Sequence, residues 1–180
     1  MGDTAKLLDE LCGYFRRFLI LHETQLHALA LWTMHTYVYE IADTTPYLIV
    51  TSAEKRSGKT RLIETLQHVA HKPKTVTALT EAVLFRFVSQ VKPTLLVDET
   101  DAIFKDSRGG PSERQEGLRS VLNAGYRKGT TIPRCLPTGE IMEFECFCPK
   151  LLAGIGHLPD TIEDRGLAIR LTRKLTTDEV

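Results

Sequence analysis

The sequence predicts an α/β fold, a mainly parallel sheet covered by helices. Three observations lead there. Short apolar runs at 47–51, 94–98 and 151–155 have the composition of strands buried on both faces. Segments with helical spacing alternate with them. The chain has 180 residues, enough for one full core but hardly for two.

The elements follow in order. Residues 4–42 read as helix, because Leu7, Leu8, Leu11, Phe15, Phe18 and Leu19 recur at three- and four-residue spacing. Gly13 is expected to interrupt this stretch. Leu26, Leu29, Ala30, Thr33, Met34, Tyr37 and Ile41 continue it, with His22, His27 and His35 as surface or capping groups. Asp43-Thr44-Thr45-Pro46 breaks the helix, since proline disfavours helical geometry just before it. A strand at 47–51, a helix from Lys59 to His71 and a short strand at 74–77 come next. A helix over 80–91, with Thr80 capping before Glu81, precedes the strand at 94–98. Residues 105–111 form a polar loop. Ser112 and Gln115 fit a capping box for a helix that runs to Ala124, where Gly125 can end it. Residues 131–147 read as a hairpin turning at 136–140, and strands follow at 150–155 and 166–171. The chain thus divides into an N-terminal helical segment, 1–45, and an α/β core, 46–180.

Charge and composition narrow the function. Lys+Arg and Asp+Glu are each 23, so the net charge is zero. That excludes a polybasic coat and argues against salt-driven, non-specific DNA binding, while leaving room for a local basic groove. No apolar run approaches the ~18–20 residues of a membrane span, and the start lacks the pattern of a secretory signal. The expectation is a cytoplasmic protein whose Cys12, Cys135, Cys146 and Cys148 are reduced thiols. A zinc site from Cys135, Cys146, Cys148 and His157 fits none of the usual paired-ligand spacings, so these read as small hydrophobes.

The chemistry concentrates after the first strand. Ala53-Glu54-Lys55-Arg56-Ser57-Gly58-Lys59-Thr60 has phosphate-loop spacing, with alanine in place of the first glycine. It leaves a strand and opens a helix, the setting in which backbone N–H groups and a helix N-terminus surround a phosphate. Gly58 permits close approach, Lys59 reaches the β- and γ-phosphates of ATP, and the Thr60 hydroxyl holds Mg²⁺. Lys55 and Arg56 are expected to be solvated. The 94–98 strand ends in Asp98-Glu99, at the sheet edge where α/β folds bind ligands. Asp98 is expected to hold Mg²⁺ through water, and Glu99 to activate the attacking water. Asp101 reads as a structural cap or a supporting group.

A phosphate loop followed, one strand–helix unit later, by a strand ending Asp-Glu resembles the additional-strand, catalytic-glutamate ATPases, AAA+ proteins in particular. The resemblance implies sheet order 5-1-4-3-2, with the strands at 47–51, 74–77, 94–98, 150–155 and 166–171 numbered in turn. The hairpin before strand 4 resembles the pre-sensor hairpin of superfamily-3 and minichromosome-maintenance-like helicases, where it faces DNA. More closely, several stretches together resemble a family of phage, prophage and plasmid ATPases often joined to primase or replication modules. These are Ala30-Leu31-Trp32-Thr33 with His35-Thr36, Ser57 to Thr60, Leu96 to Asp101, Leu122 to Gly129, Pro149 to Gly156 and Leu158 to Arg165.

The resemblance implies an ATP hydrolase that assembles as a ring or filament. Arg165 would be an arginine finger reaching a neighbour's γ-phosphate; the alternative is a local pair with Glu163 or Asp164. Arg134 and Tyr126-Arg127-Lys128 are the candidate DNA-facing groups, or else a covered edge and a solvated helix end. The chain departs from the pattern in two places. Strand 4 carries no polar sensor, leaving His157 as the nearest candidate, and the sequence offers no helical lid after strand 5, either because the lid is absent or because this is part of a longer replication protein. A nucleotide-binding assembly module without hydrolysis of its own therefore stands as the alternative, with a nucleotide kinase as a third.

Overall fold

A computed structural model describes residues 3–54, 57–77, 80, 83–104 and 112–172. Its strands are Tyr47–Ser52 (β1), Pro73–Val76 (β2), Thr94–Val97 (β3), Thr131–Cys135 (β4), Ile141–Glu145 (β5), Lys150–Ile155 (β6) and Gly166–Leu171 (β7). Five of them form one sheet in the order β2-β3-β6-β1-β7, and every neighbouring pair is parallel. The other two, β4 and β5, pair antiparallel as a separate hairpin. These labels differ from 5-1-4-3-2 because the hairpin contributes β4 and β5 to the count. The segments 150–155 and 166–171, expected as fourth and fifth, are therefore β6 and β7.

Helices and hairpin cover the two faces of the sheet. Leu48, Val50, Leu96, Leu151 and Ala153 point to one face. There they meet Leu62, Ile63 and Leu66 of Lys59–Gln67 (α3), Phe15 of Thr4–Arg16 (α1), and Leu26, Leu29 and Trp32 of Glu23–Val38 (α2). Tyr47, Ile49, Leu95, Val97 and Leu152 point the other way. They meet Leu84, Phe85 and Val88, then Leu118, Val121 and Leu122 of Glu113–Ala124 (α6), and Ile132 and Phe144 of the hairpin. This is a three-layer α/β arrangement. Each apolar strand is buried on both faces, which is why the strands read as unbroken hydrophobic runs.

The N-terminal helix differs from the expected single stretch. Gly13 lies inside α1, and a Cβ there would meet nothing within 4 Å. The break falls instead between Arg16 and Glu23, where Leu19 turns into the core. His22 then caps α2: its ring accepts from Thr24 N–H, and the Gln25 side chain accepts from His22 N–H at 3.2 Å. Trp32 Nε1 donates to the Pro46 carbonyl at 2.9 Å, tying α2 to the entry of β1. Thr36 Oγ1 accepts from His71 N–H at 3.0 Å, tying α2 to the exit of α3.

The expected 80–91 helix takes an unusual form. Val83–Phe87 is a π-helical turn leading into the short Val88–Val91 (α4). The wider turn lets adjacent Leu84 and Phe85 both enter the core. Glu81 and the 105–111 loop lie outside the described residues. α6 carries the expected capping box of Ser112 and Gln115. Gly125 ends it by clearance, since a Cβ there would stand 2.6 Å from the Cys146 carbonyl oxygen and 2.7 Å from Lys150 Nζ.

Candidate functional site

The segment 53–60 joins the last residue of β1 to the first turn of α3. Ala53 and Glu54 are exposed; Lys55 and Arg56 lie outside the described residues. Gly58 sits at φ +91°, a left-handed conformation that strains any residue with a side chain. Space is not the constraint there, because a Cβ would meet nothing within 4 Å. Ser57 is buried and its hydroxyl has no hydrogen-bond partner among the described residues. Lys59 opens α3 and bends back, its Nζ donating to Ser52 Oγ at 2.5 Å. Thr60, next in the helix, is exposed.

Asp98 and Glu99 leave the same edge of the sheet. Asp98 N–H donates to the Val76 carbonyl at 3.2 Å, continuing the ladder with β2. One Asp98 carboxylate oxygen accepts from Glu99 N–H at 2.9 Å. Glu99 stands at φ +58°, left-handed for a residue with a side chain, and it is exposed. Such a conformation costs on the order of 1–2 kcal/mol and persists only where neighbours impose it.

The neighbours that impose it are on Thr100–Phe104 (α5). Buried Thr100 donates through Oγ1 to the Ala153 carbonyl at 3.0 Å, and Asp101 Oδ1 accepts from Ile155 N–H at 3.0 Å. Both bonds fasten the start of α5 to β6. Gly154 permits this close approach, because a Cβ there would lie 2.5 Å from Thr100 Oγ1. Asp101 therefore has a structural role, as its sequence position suggested. β6 is the one strand between β1 and β3. Two strand spacings, about 10 Å, thus separate the exit of β1 from that of β3. The loop residues and the Asp98-Glu99 pair share one edge and one side of the molecule.

Arg165 is at the other edge. It immediately precedes β7, whose Gly166 is in register with Tyr47, and Tyr47 N–H donates to the Arg165 carbonyl at 3.0 Å. The length of β1, roughly 16 Å, separates it from its own loop. Its guanidinium donates to Asn123 Oδ1 at 3.0 Å and to the Thr161 carbonyl, and it lies 5.9 Å from the centre of the Tyr126 ring. Those partners stand in place of the pair with Glu163 or Asp164 that was the alternative to a finger. Glu163, from Asp160–Glu163 (α7), instead accepts from Leu158 N–H at 2.8 Å and stands 3.5 Å from His157 Nδ1. The His157 side chain is 87% exposed, so it projects from the loop after β6 rather than into the sheet.

Sequence reasoning missed one group at the Arg165 edge. Lys150 is fully buried, and its ammonium donates to the carbonyls of Gly125, Cys146 and Cys148 at 3.3, 2.8 and 3.1 Å. All three protons are used, and the Tyr47 ring lies 5.2 Å away. Tyr47 in turn donates its hydroxyl to the Leu122 carbonyl and meets Tyr126 edge-on. A lysine opening an apolar strand was the available signal. Burial pushes the thiol of Cys146 up to about 11, with Lys150 opposing, and raises that of Cys148. No group of three metal-ligating side chains gathers among the described residues. Of the candidate DNA-facing groups, Arg134 stacks 5.3 Å from the Phe85 ring centre, and Lys128 donates to the Glu40 carbonyl at 2.6 Å. Arg127 is exposed, as are Ile141 and Met142 on the hairpin.

No protein-family model matches the chain, and no curated protein matches it. Among the described residues, no helix is long and apolar enough to cross a membrane.

Proposed function

We propose that this chain is a phosphate-loop ATPase domain of the AAA+-like, additional-strand type, binding and hydrolysing ATP in the cytoplasm as part of a phage- or plasmid-type replication ATPase or helicase. The observation that carries the reading is the shared edge. A left-handed glycine and a lysine open α3 straight out of β1, and Asp98-Glu99 face them across a single intervening strand. Residues 53–60 supply backbone donors for the phosphates, and Lys59 adds a point charge. The donors near that charge suit a hard cation: the Thr60 hydroxyl and the Asp98 oxygen not engaged by Glu99 N–H would hold Mg²⁺. Magnesium keeps most of its waters and takes few protein ligands, so a dense carboxylate cage is not needed. When bound, the ion neutralises charge on the β- and γ-phosphates. Glu99 takes a proton from water as its oxygen attacks the γ-phosphorus, and the bond to the β-phosphate oxygen breaks to leave ADP and inorganic phosphate.

Arg165 cannot reach its own loop from the opposite edge. That placement supports action on a neighbour's nucleotide in a ring or filament. A second reading, an assembly module that binds nucleotide without hydrolysing it, is favoured by one observation. β6 ends without a polar side chain aimed at the site, and His157 is turned to Glu163. Titration calorimetry with MgATP, comparing wild type with Lys59→Ala, tests the site; equal affinities refute it. Glu99→Gln separates the two readings. Retained binding with turnover down ~10²-fold supports hydrolysis, whereas wild-type protein that binds and never turns over supports the assembly module.

A further inference from the structure

We propose that Ser52 is a positioning residue for Lys59, holding its ammonium across the mouth of the phosphate loop before nucleotide arrives. The proposal rests on the nucleotide-site reading above and extends it to a side chain outside the 53–60 segment. Ser52 is the last residue of β1, nearly buried at 6% exposure, and its hydroxyl is engaged twice. It donates to the Glu54 carbonyl at 2.8 Å and accepts from Lys59 Nζ at 2.5 Å. The first bond commits the hydroxyl proton to the loop, so the oxygen's lone pairs are left to face the ammonium. The same bond ties the end of β1 to the first bend of the loop that follows it. Among the described residues, the Lys59 ammonium stands within ion-pair distance of no carboxylate, and this is its hydrogen bond. One of its three protons is used there, and two remain for phosphate oxygens.

The physical consequence is preorganisation. A lysine carries four flexible methylenes, and ordering them on binding weakens affinity. Ser52 restrains the chain beforehand. Its effect is therefore on binding, common to ground and transition states, and belongs in KM rather than in kcat.

The test measures MgATP affinity with a fluorescent ATP analogue under competition, together with steady-state turnover. Ser52→Ala is expected to weaken affinity about three- to tenfold, with turnover at saturating ATP within about twofold of wild type. Ser52→Thr keeps the hydroxyl and is expected to restore affinity. Ser52→Cys keeps the shape with a poor acceptor and is expected to behave like Ser52→Ala, so it answers the question if the alanine variant melts early. In a Lys59→Ala background, read at millimolar nucleotide, Ser52→Ala should add nothing, because its partner is gone. Affinity unchanged or tighter in both Ser52→Ala and Ser52→Cys overturns the proposal while leaving the nucleotide site standing. A Ser52→Ala effect that persists in the Lys59→Ala background overturns it too, assigning Ser52 to the loop bend alone. Wild-type protein that binds no MgATP refutes the site reading, and the Ser52 proposal with it.

Discussion

Gly154→Ala is the substitution that most directly joins packing to the site. The new methyl would lie 2.5 Å from Thr100 Oγ1, 3.1 Å from Asp101 N and 3.2 Å from Asp101 Oδ1. Ordinary contacts at a carbon begin near 3.5 Å, so the first turn of α5 must retreat by about 1 Å. That retreat stretches both bonds fastening α5 to β6, Thr100 Oγ1 to the Ala153 carbonyl and Ile155 N–H to Asp101. Overpacking costs roughly 1–3 kcal/mol and each stretched hydrogen bond about 0.5 kcal/mol, giving about 2–4 kcal/mol in all. For a chain of this length the melting temperature should fall by roughly 5–15 °C. Because the displaced turn carries Asp98-Glu99 and not the 53–60 loop, ATP turnover should fall more than ATP affinity. Circular dichroism melts and steady-state turnover are the assays. Thr100→Ala removes the closest atom at the cost of about 1 kcal/mol for the lost bond. The double variant should therefore be more stable than the two single effects predict, by ~1 kcal/mol or more. An unchanged melt for Gly154→Ala, or strict additivity in the pair, refutes the reasoning.

Lys150→Met keeps length and removes the ammonium, stranding three buried carbonyls while relieving the burial of a charge. The stranded acceptors should dominate, with a loss of about 2–4 kcal/mol in denaturant melts, and wild-type stability would show that the cage contributes nothing. The raised Cys146 pKa carries a pH dependence with a definite sign. The folded state favours the neutral thiol, so its stability is full below the unfolded value of 9.0 and is lost as pH rises toward about 11. Unfolding free energies from denaturant melts should fall between pH 8 and 11, by up to about 2–3 kcal/mol from this thiol. Cys148, Tyr39 and Tyr47 are shifted the same way and add to the loss. Cys146→Ala should flatten the curve, and a slope identical to wild type would remove the thiol from the account. Mixing Arg165→Ala subunits with Glu99→Gln subunits should restore part of the ATPase activity that each lacks alone. No recovery in confirmed co-assemblies would leave Arg165 with its local contacts to Asn123 and Thr161.

Much of the fold was legible because burial on both faces leaves a plain trace. Leu48-Ile49-Val50 and Leu95-Leu96-Val97 alternate between two cores, so no polar residue interrupts them. The helix break at 17–22 was less legible, because a glycine suggests a breaker wherever it stands. Gly13 breaks nothing, while Leu19, a good helix former, leaves the helix to fill a core. Asp98 and Glu99 were readable from their place at a strand end. The left-handed backbone of Glu99 was not, since it is imposed by the α5–β6 bonds, which are contacts across more than fifty residues. Gly154 did offer a signal, as glycine inside an apolar strand marks a close backbone approach. Lys150 offered little, because its partners are three backbone carbonyls and a carbonyl has no signature in a sequence.

The two edges of the sheet make different demands, and the chain meets each with different chemistry. At the exits of β1 and β3 the groups are sparse, exposed and only lightly paired. Lys59 has one hydroxyl partner, Thr60 and Glu99 are exposed, and Ser57 keeps an unpaired hydroxyl. Groups with free protons and lone pairs of this kind suit the proposed binding of phosphate and water, Lys59 keeping Ser52 and offering its other two protons. At the entrances of β1, β6 and β7 the reverse holds. Lys150 is fully coordinated, Tyr47 is bonded through both its N–H and its hydroxyl, and Arg165 is held by an amide, a carbonyl and a ring. A guanidinium meant to meet a phosphate in another subunit has to be aimed from a rigid support, because an error of 1 Å forfeits much of its effect. The support also runs through Asn123 and Tyr126 into the segment that leads to the hairpin, and through Cys146 and Cys148 out of it.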